Sequence, residues 1–485
     1  MIGNAEQYYA SLSQLKRKVY IHGETVESPE EHPLVKPSVN AVGMTYALQE
    51  MPEYRDLVFA GSHFNGSEIN RFTHLHRNKE DLVRKVKLQR LLGQLTGTCF
   101  QRCVGMDAIN ALDSTTFEMD RDLGTSYHER FSRFLRHIQE GNYVCDGAMT
   151  DPKGDRGKRP HQQADPDLYL RVVDENREGI KVRGAKCHQT GAINSHFILV
   201  MPTLSMREED RDYAVSFAVE ADAPGIMYVL GRQPSDTRKT EPSPLDVGNP
   251  YFGGQEALII FDDVLVPWER VFMLREYKFS GRLVERFASY HRQSYGGCKV
   301  GVGDVLIGAS AALAEYHGVY GASHIRDKLI EMSYLNETLY AAGLAASYEG
   351  RPADSGTYLA DALLANVCKL SVTRFPYEIA RLAEDIAGGL MVTAPSLNDL
   401  EHPEIGSYLQ KYYQGMEGIK TECRLKMLRL VENLTLGPAA AAYRTESMHG
   451  AGSPQAQRMM IGRLADFEQK KDMAKKLAGI NNKEA

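Results

Sequence analysis

The hydrophobic period of this chain switches twice, and that double switch constrains its fold more than any other feature. Near Asp151 the spacing turns from helical to strand-like, and after Pro267 it turns back. Within the middle stretch Leu168-Tyr-Leu-Arg-Val-Val173 alternates, Asp174 to Gly179 is turn-like, and Ile180-Lys-Val-Arg183 alternates again, which predicts a hairpin. Runs at Ala214–Val219, Ile226–Leu230 and Ala257–Pro267 add strands between Gly, Pro and Asp clusters. From about Asp81 to Leu112 the spacing is helical, while Pro, Gly and Asn break up the segments before it. Beyond Pro267 helical spacing covers roughly 301–320, 325–348, 358–390 and 420–445, with a charged helix from about Ser453 to Ala478. In 325–348, Leu329, Ile330, Met332, Leu335, Leu339 and Leu344 keep one face apolar. Helices of this length predict a bundle. The expected class is α+β, with an N-terminal helical domain over 1–147, a middle β domain over 148–275 and a C-terminal helical bundle over 276–485.

Charge and apolar runs narrow the partners. The formal net charge of −6 gives no sign of a nucleic-acid-binding surface, so no nucleic-acid partner is expected. Apolar runs such as Ala257-Leu-Ile-Ile-Phe261 are too short to cross a bilayer, and the N-terminus lacks the apolar core of a signal peptide. No membrane partner is expected, and the location expected is cytoplasmic, where thiols stay reduced. The seven cysteines, at 99, 103, 145, 187, 298, 368 and 423, are then not a disulfide framework. Each has the ordinary alternative of a small buried hydrophobe.

Some of these cysteines stand in unusual company. In Gly97-Thr-Cys-Phe-Gln-Arg-Cys103, Cys99 and Cys103 are four apart, so on one helix they share a face that Leu92, Leu95 and Met106 continue. In His291-Arg-Gln-Ser-Tyr-Gly-Gly-Cys-Lys299, His291 and Cys298 are two turns apart, about 10.5 Å of rise on an unbroken helix. That is awkward for one metal ion and easier for two corners of a cluster, or for a chain kinked at Gly296–Gly297. Three thiols and an imidazole leave both a closed zinc site and an iron–sulfur cluster open, with the spacing slightly favouring the cluster.

Two loops, Ala148–Gly157 and Gly184–His196, are rich in small residues and backbone donors that suit a flat heterocycle or a phosphate; turn connections are their ordinary alternative. A dinucleotide fingerprint is poorly supported, because Leu306 replaces the third glycine after Gly301-Val-Gly303. Glu446 and His449 end an apolar helix, as either a salt-bridged terminus or acid–base groups. Glu256 would be costly to bury unless paired or functional.

The motifs CFQRC, MTDPKGDRG, AKCHQTGAINSH, FGGQEALIIFDDVLVP, HRQSYGGCKVGVGD, RFPYEIARLAEDIAGGLMV and YRTESMHGAGSPQAQR follow one another over nearly the whole chain. Together they resemble the 4-hydroxybutyryl-CoA dehydratases, part of the 4-hydroxyphenylacetate 3-monooxygenase group with an acyl-CoA dehydrogenase-like fold. The resemblance implies a homotetramer acting on a CoA thioester, with FAD and a [4Fe–4S] cluster in each subunit, and vinylacetyl-CoA Δ-isomerase activity besides dehydration. It implies Cys99, Cys103, His291 and Cys298 as cluster ligands. FAD would lie against Met149, Lys153, Asp155 and Arg156 in one loop and His188 and Thr190 in the other. Gly388 and Gly389 would complete the flavin site of a neighbouring subunit. Cys187 would be an extra, non-ligating thiol, and 396–420 matches nothing assignable.

The implied reaction needs unusual help. The hydroxyl of 4-hydroxybutyryl-CoA sits on C4, and elimination takes a C3 hydrogen that the thioester does not acidify. The family's answer is transient one-electron oxidation of the substrate by the flavin. His291 would be ligand and C2 base, Tyr295 and Lys299 would face the departing oxygen, Glu446 and Glu256 would handle protons, and Thr190 would bond the flavin ring. The rival expectations are a flavin-dependent phenol monooxygenase, a non-catalytic iron–sulfur or zinc redox protein, and a plain acyl-CoA dehydrogenase.

Overall fold

The structure, a computed structural model, describes residues 1–233 and 236–480. Where helical spacing begins, the Asn78 side chain accepts from the Asp81 N–H and starts helix α1 (Lys79–Thr96), with Glu80 and Asp81 at its dipole-favoured first turn. Gly97 ends it in the left-handed region at φ 60°, a common glycine terminator. Gln101 is also left-handed, and α2 (Cys103–Leu123) starts afresh at Cys103. Cys99 and Cys103 therefore do not share one helical face, contrary to the expectation from their spacing. Leu95, expected on the same stripe, is exposed. Helix α3 (Tyr127–Gly141) completes this group.

Ahead of the helices, β1 (Lys18–Ile21) and β2 (Glu24–Val26) leave the helical region and join the middle sheet. The middle stretch supplies β3 (Cys145–Ala148), β4 (Arg171–Glu175), β5 (Gly179–Thr190), β6 (Phe197–Val200), β7 (Val215–Glu220), β8 (Ile226–Leu230), β9 (Glu256–Pro267) and β10 (Val271–Leu274). The predicted hairpin is present: β4 and β5 pair antiparallel around a turn closed by Asn176 N–H to Gly179 O. One sheet has the order β2-β1-β8-β9-β5-β4 and the other β10-β7-β6-β3. Apolar faces of the two sheets, with α2 and α3, form one continuous core. The register of β9 on β5 sets Glu256 opposite Thr190 at the sheet's end.

The C-terminal bundle is built on α4 (Tyr277–Tyr316), an unbroken helix of 40 residues. By length and composition α4 could cross a bilayer, yet most of its apolar window is buried within this chain, as in the core helix of a folded domain. Around it pack α5 (Ser323–Tyr348), α6 (Ala362–Val372), α7 (Phe375–Ala387) and α8 (Thr421–Thr435). The stretch read as one helix over 358–390 is thus two helices, with Pro376 opening the second. The segment 396–420 holds two short helices, Leu397–Glu401 and Gly406–Tyr412. The Gly296–Gly297 pair does not kink α4. A Cβ on Gly297 would stand 2.4 Å from Val86 O of α1, and one on Gly296 would stand 2.6 Å from Gly343 Cα of α5. Those glycines let three helix backbones touch, and the cysteines lie in that seam. The α+β order expected from the sequence is the order observed.

Candidate active site

The end of α1, the start of α2 and the middle of α4 enclose one apolar cluster containing Leu92, Phe100, Cys103, Tyr295 and Cys298. Cys99 sits in the loop freed by the Gly97 cap and faces the same seam. Cys103 donates to it, which lowers the Cys99 thiol below its ordinary value and, with burial, raises Cys103 well above. Burial pushes the Cys298 thiol up to about 12, with Lys299 opposing. A small pocket opens beside Cys99, Cys298, Lys299, Ala442 and Tyr443.

On α4, one turn separates each member of the series Phe287, His291, Tyr295 and Lys299. The His291 ring stacks on Phe287 with centroids 5.7 Å apart, and meets Tyr295 edge-on at 5.2 Å. Its Nδ1 lies 2.9 Å from Asp107 Oδ2. Tyr295 OH donates to Glu446 Oε1 at 3.0 Å, and Lys299 Nζ donates to Glu446 Oε2 at 2.9 Å and to Ala442 O at 2.8 Å. Glu446 ends a π-helical turn, Ala441–Glu446, a geometry that recurs at functional sites. Although burial pushes the Glu446 carboxyl up, Lys299 holds it below its usual range. Glu256 goes the other way: burial and the Glu446 charge raise it well above. Its Oε2 accepts from Thr190 Oγ1 at 2.6 Å. Two carboxyls with divergent pKa values at one site are the usual mark of an acid and a base.

The Met149–Arg156 loop meets the end of β5 next door, residues 184–190 being strand rather than the expected loop. Cys187 N–H donates to Thr150 O at 2.7 Å, and Lys186 Nζ donates to Met149 O at 2.9 Å and to Asp151 Oδ2 at 3.0 Å. Lys153 and His188 both adopt left-handed backbone, at φ 71° and 57°, a strain that non-glycine residues hold mainly at functional sites. Partial burial lowers the His188 imidazole, and nearby Lys153, His449 and Arg156 lower it further. Asp155 and Arg156 are exposed. Cys187 lies in β5 where it meets that loop. Gly388 and Gly389 stand apart, exposed at the end of α7, with nothing in this chain within 4 Å of where their Cβ atoms would be.

Sequence reasoning missed Asp107, Lys85 and Lys369. Lys369 is buried with Nζ 5.0 Å from the Tyr295 ring centroid, and burial lowers it to about 7. The available signal was a lone charge inside an apolar stretch, as in Met106-Asp-Ala-Ile109.

Among the described residues, no three His, Cys, Asp or Glu side chains stand close enough to share one metal ion. An iron–sulfur cluster makes no such demand, because different ligands serve different irons. Cys103 and Cys298, buried thiols whose ionisation is opposed by their surroundings, suit a cationic centre beside them. With an imidazole whose Nδ1 is already engaged, the donor set fits such a cluster.

Two family profiles span the chain: 4-hydroxyphenylacetate 3-hydroxylase N terminal over residues 4–273 and its C terminal counterpart over 280–479. The 4-hydroxybutyryl-CoA dehydratase/vinylacetyl-CoA-Δ-isomerase of Clostridium aminobutyricum is 56% identical over 99% of this chain and 100% of its own. The chain belongs to the 4-hydroxybutyryl-CoA dehydratase family. Membership in this dehydratase family makes it an enzyme, a lyase with isomerase activity. The oxygen-tolerant archaeal dehydratase from N. maritimus superposes with a TM-score of 0.98 at 56% identity, covering 99% of this chain and 96% of that one. The oxygenase component of 4-hydroxyphenylacetate 3-monooxygenase, complexed with FAD, gives 0.85 at 23% identity over 98% of both, a likeness of fold.

Proposed function

We propose that the chain dehydrates 4-hydroxybutyryl-CoA to crotonyl-CoA and isomerises vinylacetyl-CoA, with FAD against the 149–156 loop and residues 188–190 and a [4Fe–4S] cluster on Cys99, Cys103, Cys298 and His291. The observation that carries this reading is that Cys99 and Cys298 line one pocket with Lys299, that Cys103 and Cys298 share a buried cluster with Tyr295, and that Lys299 and Tyr295 both bond Glu446. When bound, the flavin supplies reversible one-electron chemistry and the cluster a Lewis-acidic iron.

The chain's own residues handle the protons. Loss of water across C3 and C4 yields a β,γ-alkene, and crotonyl-CoA has a methyl group at C4. A proton must therefore leave C2 and another must arrive at C4. His291 Nε2, the ring nitrogen not engaged by Asp107, would take the C2 proton once freed from its ligand role. Lys299 and Tyr295, held by Glu446, hydrogen-bond the departing C4 oxygen. The C3 hydrogen leaves as a proton that joins the departing hydroxide as water. Glu256, whose carboxyl burial raises, gives a proton to C4 and is reprotonated by the imidazolium formed at His291. The apolar seam excludes water from these transfers. The exposed Gly388–Gly389 turn completes the flavin site of a second copy in a homotetramer, and the enzyme works in the cytoplasm.

Anaerobic purification tests the reading. About four iron and four sulfide per chain together with FAD, and crotonyl-CoA formed from 4-hydroxybutyryl-CoA without added reductant, are the expected results. A yellow, iron-free protein that hydroxylates phenols with reduced flavin and oxygen would overturn it in favour of the monooxygenase.

A further inference from the structure

Asp107 lies one turn beyond Cys103 on α2 and is completely buried. Its Oδ1 accepts from Lys85 Nζ at 2.5 Å, and its Oδ2 stands 2.9 Å from His291 Nδ1 and 3.3 Å from Ser294 Oγ. Lys85, equally buried on α1, also donates to Tyr290 O at 3.0 Å, the carbonyl just before His291. The ion pair thus ties α1, α2 and the backbone of α4 together beside the imidazole. A buried ion pair is often no more stabilising than apolar residues of the same shape, so stability alone is a weak reason to have one here. What the pair does uniquely is present an acceptor to Nδ1. Phe287 and Tyr295 confine the ring plane, but neither distinguishes one ring nitrogen from the other.

We propose that Asp107, with Lys85 as its counter-ion, is a positioning residue that fixes His291 in the tautomer carrying hydrogen on Nδ1, leaving the Nε2 lone pair for iron or a substrate proton. This rests on the ligand reading above. Carboxylates that orient a metal-bound histidine commonly change affinity or activity by about 10–100-fold when removed.

The experiment uses anaerobically purified holoenzyme labelled with ¹⁵N-histidine and reduced with dithionite, read by electron–nuclear double resonance, alongside iron content, melting temperature, kcat and KM. The double variant Asp107→Leu/Lys85→Met removes both charges together, so neither is left buried alone. Asp107→Asn keeps an acceptor for Nδ1–H. We expect the double variant to fold, to lose or shift the histidine ¹⁵N coupling, and to lose about 10–100-fold in kcat with KM little changed. We expect Asp107→Asn to retain the coupling and more of the kcat. Unchanged coupling and kcat in the double variant would overturn the proposal. So would an Asp107→Asn enzyme that folds and binds iron yet loses the coupling as completely as the double variant. Absence of iron or of any ¹⁵N coupling in the unmodified enzyme would instead overturn the ligand reading itself.

Discussion

The helical half of the site and its loop half are built on opposite plans. Around Cys99, Cys103, His291 and Cys298, each group is held by partners within the same chain, and the helices pack backbone to backbone. Around Lys153, Arg156 and His188 the backbone is strained, the side chains are partly or fully exposed, and the Gly388–Gly389 turn faces outward. The first plan suits a small centre that must not move. The second suits a large flat ligand that arrives from outside and brings its own contact surface. Each half should therefore be removable without the other.

Cys298→Ala is expected to abolish dehydration and deplete iron while leaving FAD bound; loss of both groups together would break the division into halves. Glu446→Gln takes away the anion shared by Tyr295 and Lys299, and kcat should fall about 10²–10⁴-fold, the usual range for a lost acid–base group. Iron and flavin contents measured on the same sample should stay unchanged. His188→Asn tests the loop half, since asparagine tolerates left-handed backbone. The dissociation constant for FAD should rise about tenfold, or about 1.4 kcal/mol, with iron content unaltered. The smallest effect concerns pH. The folded-state pKa of Glu256 is raised, so the group binds a proton on folding. Its contribution to stability is full below the ordinary carboxyl pKa and is lost as pH rises through the raised value. Activity that needs the protonated form should fall along the same limb, and Glu256→Gln should flatten that limb in a kcat–pH profile. An identical limb in the variant would exclude Glu256 as its source.

Much of this was legible in the sequence, and what was not has physical causes. His291, Tyr295 and Lys299 fall on one face because α4 is an uninterrupted helix, so a spacing of four sufficed to group them. Cys99 and Cys103 have the same spacing, but Gly97 terminates α1 before them, and a terminating glycine looks like an interior one without its dihedral angle. Asp107 and Lys85 carry no motif; their roles arise from a contact between residues 22 apart on two helices. The parallel pairing of β1 with β8, Lys18 against Met227, is set by long-range packing that local patterns do not encode.

The π-helical turn before Glu446 makes the position of that carboxylate a matter of counting. A turn of this kind holds one residue more than an ordinary helical turn, so everything after it is offset in phase. Were the same residues wound as a regular helix with none removed, Glu446 would be rotated by about 100° around the helix axis, away from Lys299 and Tyr295, with every side chain of the site still present. A change of winding alone, with no change of composition, would here disarm the site as effectively as replacing the carboxylate.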